Sequence, residues 1–400
     1  MKRYDFDTYI DRVGSDCEKY EDMLAVFGTD RVIPLWIADM DFATADFIVE
    51  AMERRMRHPI FGYTFRPQCY FDAISGWVER HSGWKIEAPW IAYSPGVVAG
   101  VTFGMLSCTE PGDGVVIQPP VYHPFGNTIR ANGRRVVNNP LVQDPANGRY
   151  RIDFEDLNRK LAQARAFILC NPHNPTGRVF TREELLRIGE LCRTHDVTII
   201  SDEIHGDFAF RPHEHLHIAS LTEDLAGRTI TLIAPSKSFN VAGFSTAVAI
   251  VPDPARRAAY QAEVDRIHIE NGNIFGSVAL KTAYEQGDAW MEQLLDYLQG
   301  NIDFVYDFLR SKIPSVGCYK PEATFLMWLD FRSWGMTQEE LNRFLVEEAG
   351  LGLGDGSIYG EEGVGFQRLN VGTPRSVLER ALNQLLEAVE RRGLLNPPIQ

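Results

Sequence analysis

Short apolar or β-branched runs bounded by turn residues recur through the middle of the chain, at Gly114 to Gln118, Ala166 to Asn171, Val197 to Asp202, Thr229 to Pro235 and Thr246 to Val251. Such near-continuous strands are buried on both faces, and where helical patterns separate them they predict a largely parallel sheet covered on both sides. One crossover helix is legible between the second and third runs. Thr181 supplies a hydroxyl cap and Glu183 and Glu184 the acids of a first turn, and Leu185, Ile188, Leu191 and Cys192 follow at helical spacing. After about residue 290 the texture changes to a long amphipathic stretch, Met291 to Leu309, followed by an alternating strand at Ala323 to Phe331. Near the C-terminus Val377, Leu378, Ala381, Leu382, Leu385, Leu386 and Val389 repeat with a helical period and predict a packed helix. The expected architecture is a large α/β domain followed by a smaller α+β domain.

The chain has 400 residues, enough for two or three domains with a sizeable core. A formal charge of −14 repels nucleic acid and anionic lipid, and the basic runs at Arg54 to Arg57 and Arg134-Arg135 are too short to reverse that field. No C-x-x-C occurs among the six cysteines, which suits reduced thiols and a cytoplasmic setting. The stretch Met1 to Asp16 is charged and holds no apolar signal region, and no membrane span is expected.

Three segments carry chemistry. Lys237, in Ala234-Pro235-Ser236-Lys237-Ser238-Phe239-Asn240, follows an apolar strand and is flanked by hydroxyls, a setting in which a desolvated amine suits a Schiff base. Asn171-Pro172-His173-Asn174-Pro175-Thr176-Gly177 forms a constrained turn after another strand and aims its Asn amides. Ser201-Asp202-Glu203-Ile204-His205 ends a third strand, placing a carboxylate at the carboxyl edge of the sheet, where open α/β folds bind ligands.

In this order and at these gaps the three segments resemble the fold type I pyridoxal-phosphate enzymes of the aspartate aminotransferase superfamily. Together with Trp36-Ile37-Ala38-Asp39-Met40-Asp41-Phe42 and Gly62-Tyr63-Thr64, the Asp-Glu-Ile-His wording resembles its bacterial cystathionine β-lyase (C–S lyase) subgroup. The resemblance runs from about residue 30 to 375. It implies a seven-stranded-type, mostly parallel sheet in a large cofactor-binding domain at 46–290, and a small domain formed by 1–45 together with 291–400. It also implies a homodimer whose sites each borrow a residue from the neighbouring subunit.

The resemblance assigns Lys237 the Schiff base with pyridoxal 5'-phosphate and the proton at the substrate Cα. Asp202 would keep the pyridine nitrogen protonated, Asn174 would donate to the cofactor's phenolic oxygen beside His205, and Tyr122 would stack on the ring. Gly96, Val97 and Val98, at a helix N-terminus, and Ser236, preferred to Ser238, are the expected phosphate donors, with Tyr63 arriving from the neighbouring subunit. Arg368 is expected to grip the substrate α-carboxylate bidentately, with Asn174, Tyr122 and Ile37 also lining the substrate. Gly243-Phe244-Ser245 departs from the Gly-x-Arg of many aminotransferases and supplies no cation to the phosphate.

Two further motifs are expected to carry no chemistry. Gly350 to Gly356 imitates a dinucleotide loop without the βαβ context and reads as a flexible active-site loop. His213, His215 and His217 alternate in a Pro-flanked loop, and no metal site is expected there. The reading that follows is a pyridoxal-phosphate-dependent β-elimination on cystathionine or related sulfur amino acids, giving a thiol, pyruvate and ammonia. The alternatives are an aminotransferase acting on an amino acid and a 2-oxo acid, and a cofactor-containing regulator that binds a protein partner. His205, where many aminotransferases have a tyrosine, is expected to change protonation near neutral pH.

Overall fold

Seven strands form the main sheet: β1 (Ile91–Ser94), β2 (Gly114–Ile117), β3 (Arg135–Asn138), β4 (Ala166–Cys170), β5 (Thr198–Asp202), β6 (Thr229–Ile233) and β7 (Ala247–Ile250). Their spatial order is β1-β7-β6-β5-β4-β2-β3, and only β7 runs against the rest. The computed structural model describes residues 2–395, so Met1 and 396–400, the extremities of the expected small domain, lie outside the described residues.

Every position of β4, β5 and β6 is buried, as the unbroken apolar runs predict. The strand period divides them between two cores. Ile168, Ile200 and Leu232 join Val101 and Met105 of the helix Val97–Leu106 on one face, and Phe167, Leu169 and Ile199 join Leu185, Ile188 and Cys192 of the helix Arg182–Thr194 on the other. The exception, β7, has a local cause. A parallel return from β6 needs a crossover to the far edge of the sheet, but residues 234–246 make only two short helical turns and stay at the same edge, which forces an antiparallel return.

The edge strand Arg135–Asn138 was not among the expected runs, because it holds only two apolar residues, Val136 and Val137, between an exposed Arg and an exposed Asn. Past Asp288 the amphipathic stretch forms one helix to Lys312, and the C-terminal stripe forms the helix Arg375–Arg392, with all but Leu386 of its expected apolar positions buried. A second sheet is antiparallel: β8 (Leu326–Asp330) and β9 (Gly354–Asp355) both pair with β10 (Phe366–Asn370). β8 is shorter than the expected strand and does not alternate, since four of its five residues are buried on both faces.

The Gly350 to Gly356 segment is not a flexible loop. Leu351-Gly352 pairs with Ile33-Pro34, and Gly354-Asp355 pairs with Arg368 and Gln367. Two of its glycines answer to crowding, since a Cβ at Gly356 would lie 2.2 Å from the Gly363 carbonyl oxygen and one at Gly352 2.8 Å from the Phe27 ring, while Gly350 answers to a φ of +64°.

The capping box read from the sequence is formed in full. Thr181 Oγ1 accepts from the Glu184 N–H at 3.2 Å, and Glu184 Oε2 accepts from the Thr181 N–H at 2.8 Å. Thr181→Ala is expected to lower the unfolding free energy by about 1 kcal/mol, read as a lower urea midpoint at unchanged slope.

Candidate active site

The parallel register aligns Cys170 with Asp202, and Asp202 with Leu232, so the segments after β4, β5 and β6 emerge together at one edge. Asp202, the last residue of β5, is buried, and its Oδ1 accepts from the Ile204 N–H at 3.1 Å. Burial pushes its carboxyl up to about 7, against that hydrogen bond and the pull of Lys237. It forms no ion pair with a basic side chain among the described residues. A buried acid in that state favours a cation beside it.

Lys237 stands in the one-turn helix Pro235–Ser238 that follows β6. The turn is fixed through its neighbour. Ser238 Oγ donates to Asp207 Oδ2, whose other oxygen accepts from Trp77 Nε1 at 3.1 Å, and the Ser238 carbonyl accepts from Trp290 Nε1 at 2.9 Å. With Ser238 committed to Asp207, Ser236 is the hydroxyl left for a ligand. Lys237 Nζ donates to the Ala38 carbonyl at 2.6 Å. Burial pulls this amine down to about 8, with Asp39 raising it and Arg368 lowering it further.

Arg368 lies on β10 and is buried. Nη1 donates to Asn174 Oδ1 at 3.0 Å and Nη2 to the Trp36 carbonyl at 2.7 Å, while Nε has no partner. The guanidinium stacks over the Tyr359 ring at 5.1 Å. The 174 turn also holds Tyr122, whose N–H donates to the Asn174 carbonyl at 3.1 Å. The Ile37 carbonyl accepts from Asn370 Nδ2 at 2.6 Å. Gly96 to Val98 open the helix Val97–Leu106, and first-turn N–H groups there have no intrahelical acceptor. A carboxyl in want of a cation, an uncommitted hydroxyl and free helix N–H groups suit a protonated pyridine ring that bears a phosphate.

One expected site residue, His205, behaves differently from the sequence reading, and another, Tyr63, stands apart from the site of its own chain. Tyr63 is 97 % exposed on the segment between the helices Asp46–Met56 and Gln68–Ser82, so its own chain does not bring it to Lys237. His205 is buried against Phe208 and Phe325, and desolvation, aided by Lys237 and Arg368, drives it down to about 3. It is therefore neutral at physiological pH and does not change protonation near pH 7.

The histidine loop is tied to the sheet. His215 Nε2 lies 3.0 Å from Glu203 Oε2, His217 Nδ1 approaches the same oxygen, and Ser201 Oγ donates to Oε1 at 2.6 Å. These contacts hold Glu203 as a carboxylate, at about 2, despite its burial. Both ring nitrogens stand at hydrogen-bonding range of one oxygen, the arrangement of a satisfied buried acid. The cavity beside this cluster is lined by Trp77, Asp207 and His213 and reaches neither Lys237 nor Arg368.

Sequence reasoning missed Asn240, Asn370 and Tyr359, whose amide and aromatic side chains look generic in a sequence and gain meaning from partners far along the chain. A signal of proximity was available for two of them, Asn240 three residues after Lys237 and Asn370 two residues after Arg368.

The chain matches the aminotransferase class I and II family over residues 30–385. It is 41% identical over 386 residues to cystathionine beta-lyase PatB of Bacillus subtilis, covering 96% of this chain and 99% of that one. Among solved structures it is similar to cystalysin from Treponema denticola, which contains pyridoxal 5'-phosphate, with a TM-score of 0.94 and 31% identity over 98% of this chain and 100% of that one. It is also similar to the cofactor-bound C–S lyase of Staphylococcus hominis, with a TM-score of 0.90 and 29% identity over 97% of this chain and 98% of that one.

Between pH 8 and 10.5 the unfolded chain protonates Lys237 more fully than the folded one, so the cost of burying this amine is present below pH 8 and fades as pH rises through that window. Lys237→Met is expected to stabilise the cofactor-free protein at pH 7 by roughly 2–3 kcal/mol. Urea unfolding at a series of pH values should show the gain shrinking above pH 8.

Proposed function

The chain belongs to the aminotransferase class I and II family, and from that premise we propose that it is a pyridoxal-phosphate-dependent carbon–sulfur lyase acting on cystathionine or a related sulfur amino acid. The observation that carries the reading is a lysine amine set near pH 8, placed among a buried acid and an arginine with one uncommitted donor. The 41% identity to a cystathionine beta-lyase over nearly the whole chain supports the choice of substrate class. We place the enzyme in the cytoplasm as a homodimer. Support comes from the unpaired state of the six cysteines and from Tyr63, exposed beside Ile60, Phe61 and Phe65 where a neighbouring subunit could receive it.

When bound, pyridoxal phosphate supplies an aldehyde for Schiff-base formation with an amine and accepts the electrons of a Cα carbanion. Lys237 is the amine that would hold the aldehyde and, when free, would take the proton from the substrate Cα. An amine near pH 8 is free often enough to do so and basic enough to hold the proton. Asp202 balances the positive ring nitrogen. Asn174, with its oxygen engaged by Arg368, has its amide nitrogen left to donate to the phenolic oxygen. Tyr122 would cover the ring, and Gly96 to Val98 with Ser236 would receive the phosphate. Arg368 offers Nε and one edge of its fork to the α-carboxylate, orienting the Cα–H bond toward Lys237. Loss of that proton and cleavage of the Cβ–S bond release a thiolate, and hydrolysis of the remaining unsaturated amine gives pyruvate and ammonia. His205, held neutral, contributes packing and a ring nitrogen but no charge.

Elimination is expected to outrun amino transfer by at least about tenfold on cystathionine, a barrier difference of only about 1.4 kcal/mol. Single-turnover assays of pyruvate and thiol release, set against amino transfer to a 2-oxo acid, test this. Equal rates would replace the lyase reading with the aminotransferase one.

Arg368→Lys is expected to keep cofactor absorption while kcat/KM falls by on the order of 2–4 kcal/mol, because one ammonium cannot reproduce a two-pronged grip. Unchanged kinetics would move the carboxylate site elsewhere.

A further inference from the structure

Residues 36–42 lie as a strap across the site, and nearly every carbonyl in it is held. Trp36 accepts from Arg368 at 2.7 Å, Ile37 from Asn370 at 2.6 Å, and Ala38 from Lys237 at 2.6 Å. Asp39 accepts from Asn370 at 2.7 Å, and Met40 and Phe42 from the Asn240 amide at 2.8 and 2.9 Å. Two of these donors are the lysine and the arginine on which the proposed chemistry rests. The register of the strap therefore sets where the arginine points and which carbonyl the lysine amine meets.

What fixes that register comes from the first 20 residues. Arg12 Nη2 meets Asp39 Oδ2 at 2.6 Å, and its Nη1 meets Asp41 Oδ1 at 2.7 Å. Lys19 Nζ, wholly buried, meets Asp41 Oδ2 at 2.8 Å and stands 3.6 Å from Asp39 Oδ1. The Trp36 indole N–H donates to the Lys19 carbonyl at 3.0 Å, which ties the near end of the strap to the same helical turn. Two cations and two carboxylates thus close a neutral cluster. Hydrophobic side chains of similar size would often serve stability as well as a buried ion cluster does. What this cluster adds is directional: the Arg12 fork meets both carboxylates closely, one with each nitrogen, whereas the Lys19 ammonium meets Asp41 closely and Asp39 only at 3.6 Å.

We propose that Arg12 and Lys19 are positioning residues of the substrate site, holding the strap through Asp39 and Asp41 in the register that orients Arg368. The proposal rests on the carboxylate role given above to Arg368. Its consequence falls on binding more than on turnover, because a slack strap frees the Arg368 fork while Lys237 stays anchored through Ser238.

The test compares Arg12→Met, Lys19→Met and Arg12→Lys in the cofactor-loaded protein. For Arg12→Met and Lys19→Met, KM for cystathionine is expected to rise at least fivefold with kcat within about twofold. The Kd of L-alanine, which has no β leaving group to eliminate, read from the initial change in cofactor absorption before any amino transfer, should rise in parallel, and amide hydrogen exchange over 36–42 should quicken. Arg12→Lys should fall between wild type and Arg12→Met. A lower Tm with KM, the alanine Kd and exchange over 36–42 all unchanged would reduce the cluster to a structural role and overturn the proposal. Should Arg12→Met not fold, Arg12→Lys and Lys19→Met carry the same comparison. The alanine Kd keeps this inference separate from the lyase reading, since it reports carboxylate binding whichever reaction follows.

Discussion

β4, β5 and β6 are covered on both faces, so a charged side chain along them would stand in apolar packing with no water to solvate it. The first place where these strands can carry chemistry is their carboxyl ends. Asp202 closes β5, the Asn174 turn leaves β4, and the lysine turn leaves β6, all at one edge because parallel register aligns them. The odd direction of β7 serves the same arrangement: a link that must present Lys237 at that edge has no length left for a crossover.

Burial at that edge is also the source of reactivity. The same desolvation raises the Asp202 carboxyl to about 7 and lowers the Lys237 amine to about 8, bringing an acid and a base that differ widely in water to nearly matched affinities for a proton. Arg368 and Asp39 pull the lysine in opposite directions, so its setting depends on the small sheet and on the strap as much as on its own turn. His205 is subject to the same force without a counter-charge and is held neutral.

Much of this was legible in the sequence where local physics decides the outcome. Buried strands write unbroken apolar runs, and the cap at Thr181 writes a hydroxyl three residues before a glutamate; both were found with boundaries shifted by a residue or so. The convergence of Lys237, Asp202 and Asn174 was readable because each follows its own strand. What escaped depended on contacts between distant segments. The sequence of Gly350 to Gly356 says that backbone must pass closely, without saying past what, and a flexible loop was the mistaken choice. The protonation of His205 needed Phe208 and Phe325 around it. Nothing in the sequence singles out Arg12 and Lys19, whose partners Asp39 and Asp41 lie 20 or more residues further on.

The separations along the chain say when the site comes into being. Sheet neighbours β4, β5 and β6 are each joined by one helical excursion, whereas the Lys237–Ala38 contact closes 199 residues, Arg368–Asn174 closes 194 and Arg368–Trp36 closes 332. Loop closure over such spans is slow relative to local pairing. During folding, Asp202 and the lysine turn can therefore be in place on an assembled sheet before the strap and the arginine arrive. A chain caught at that stage would hold a reactive amine without the grip that selects what it reacts with, and synthesis adds to the delay, because the strap, though made early, has no Arg368 to hold until the chain is nearly complete.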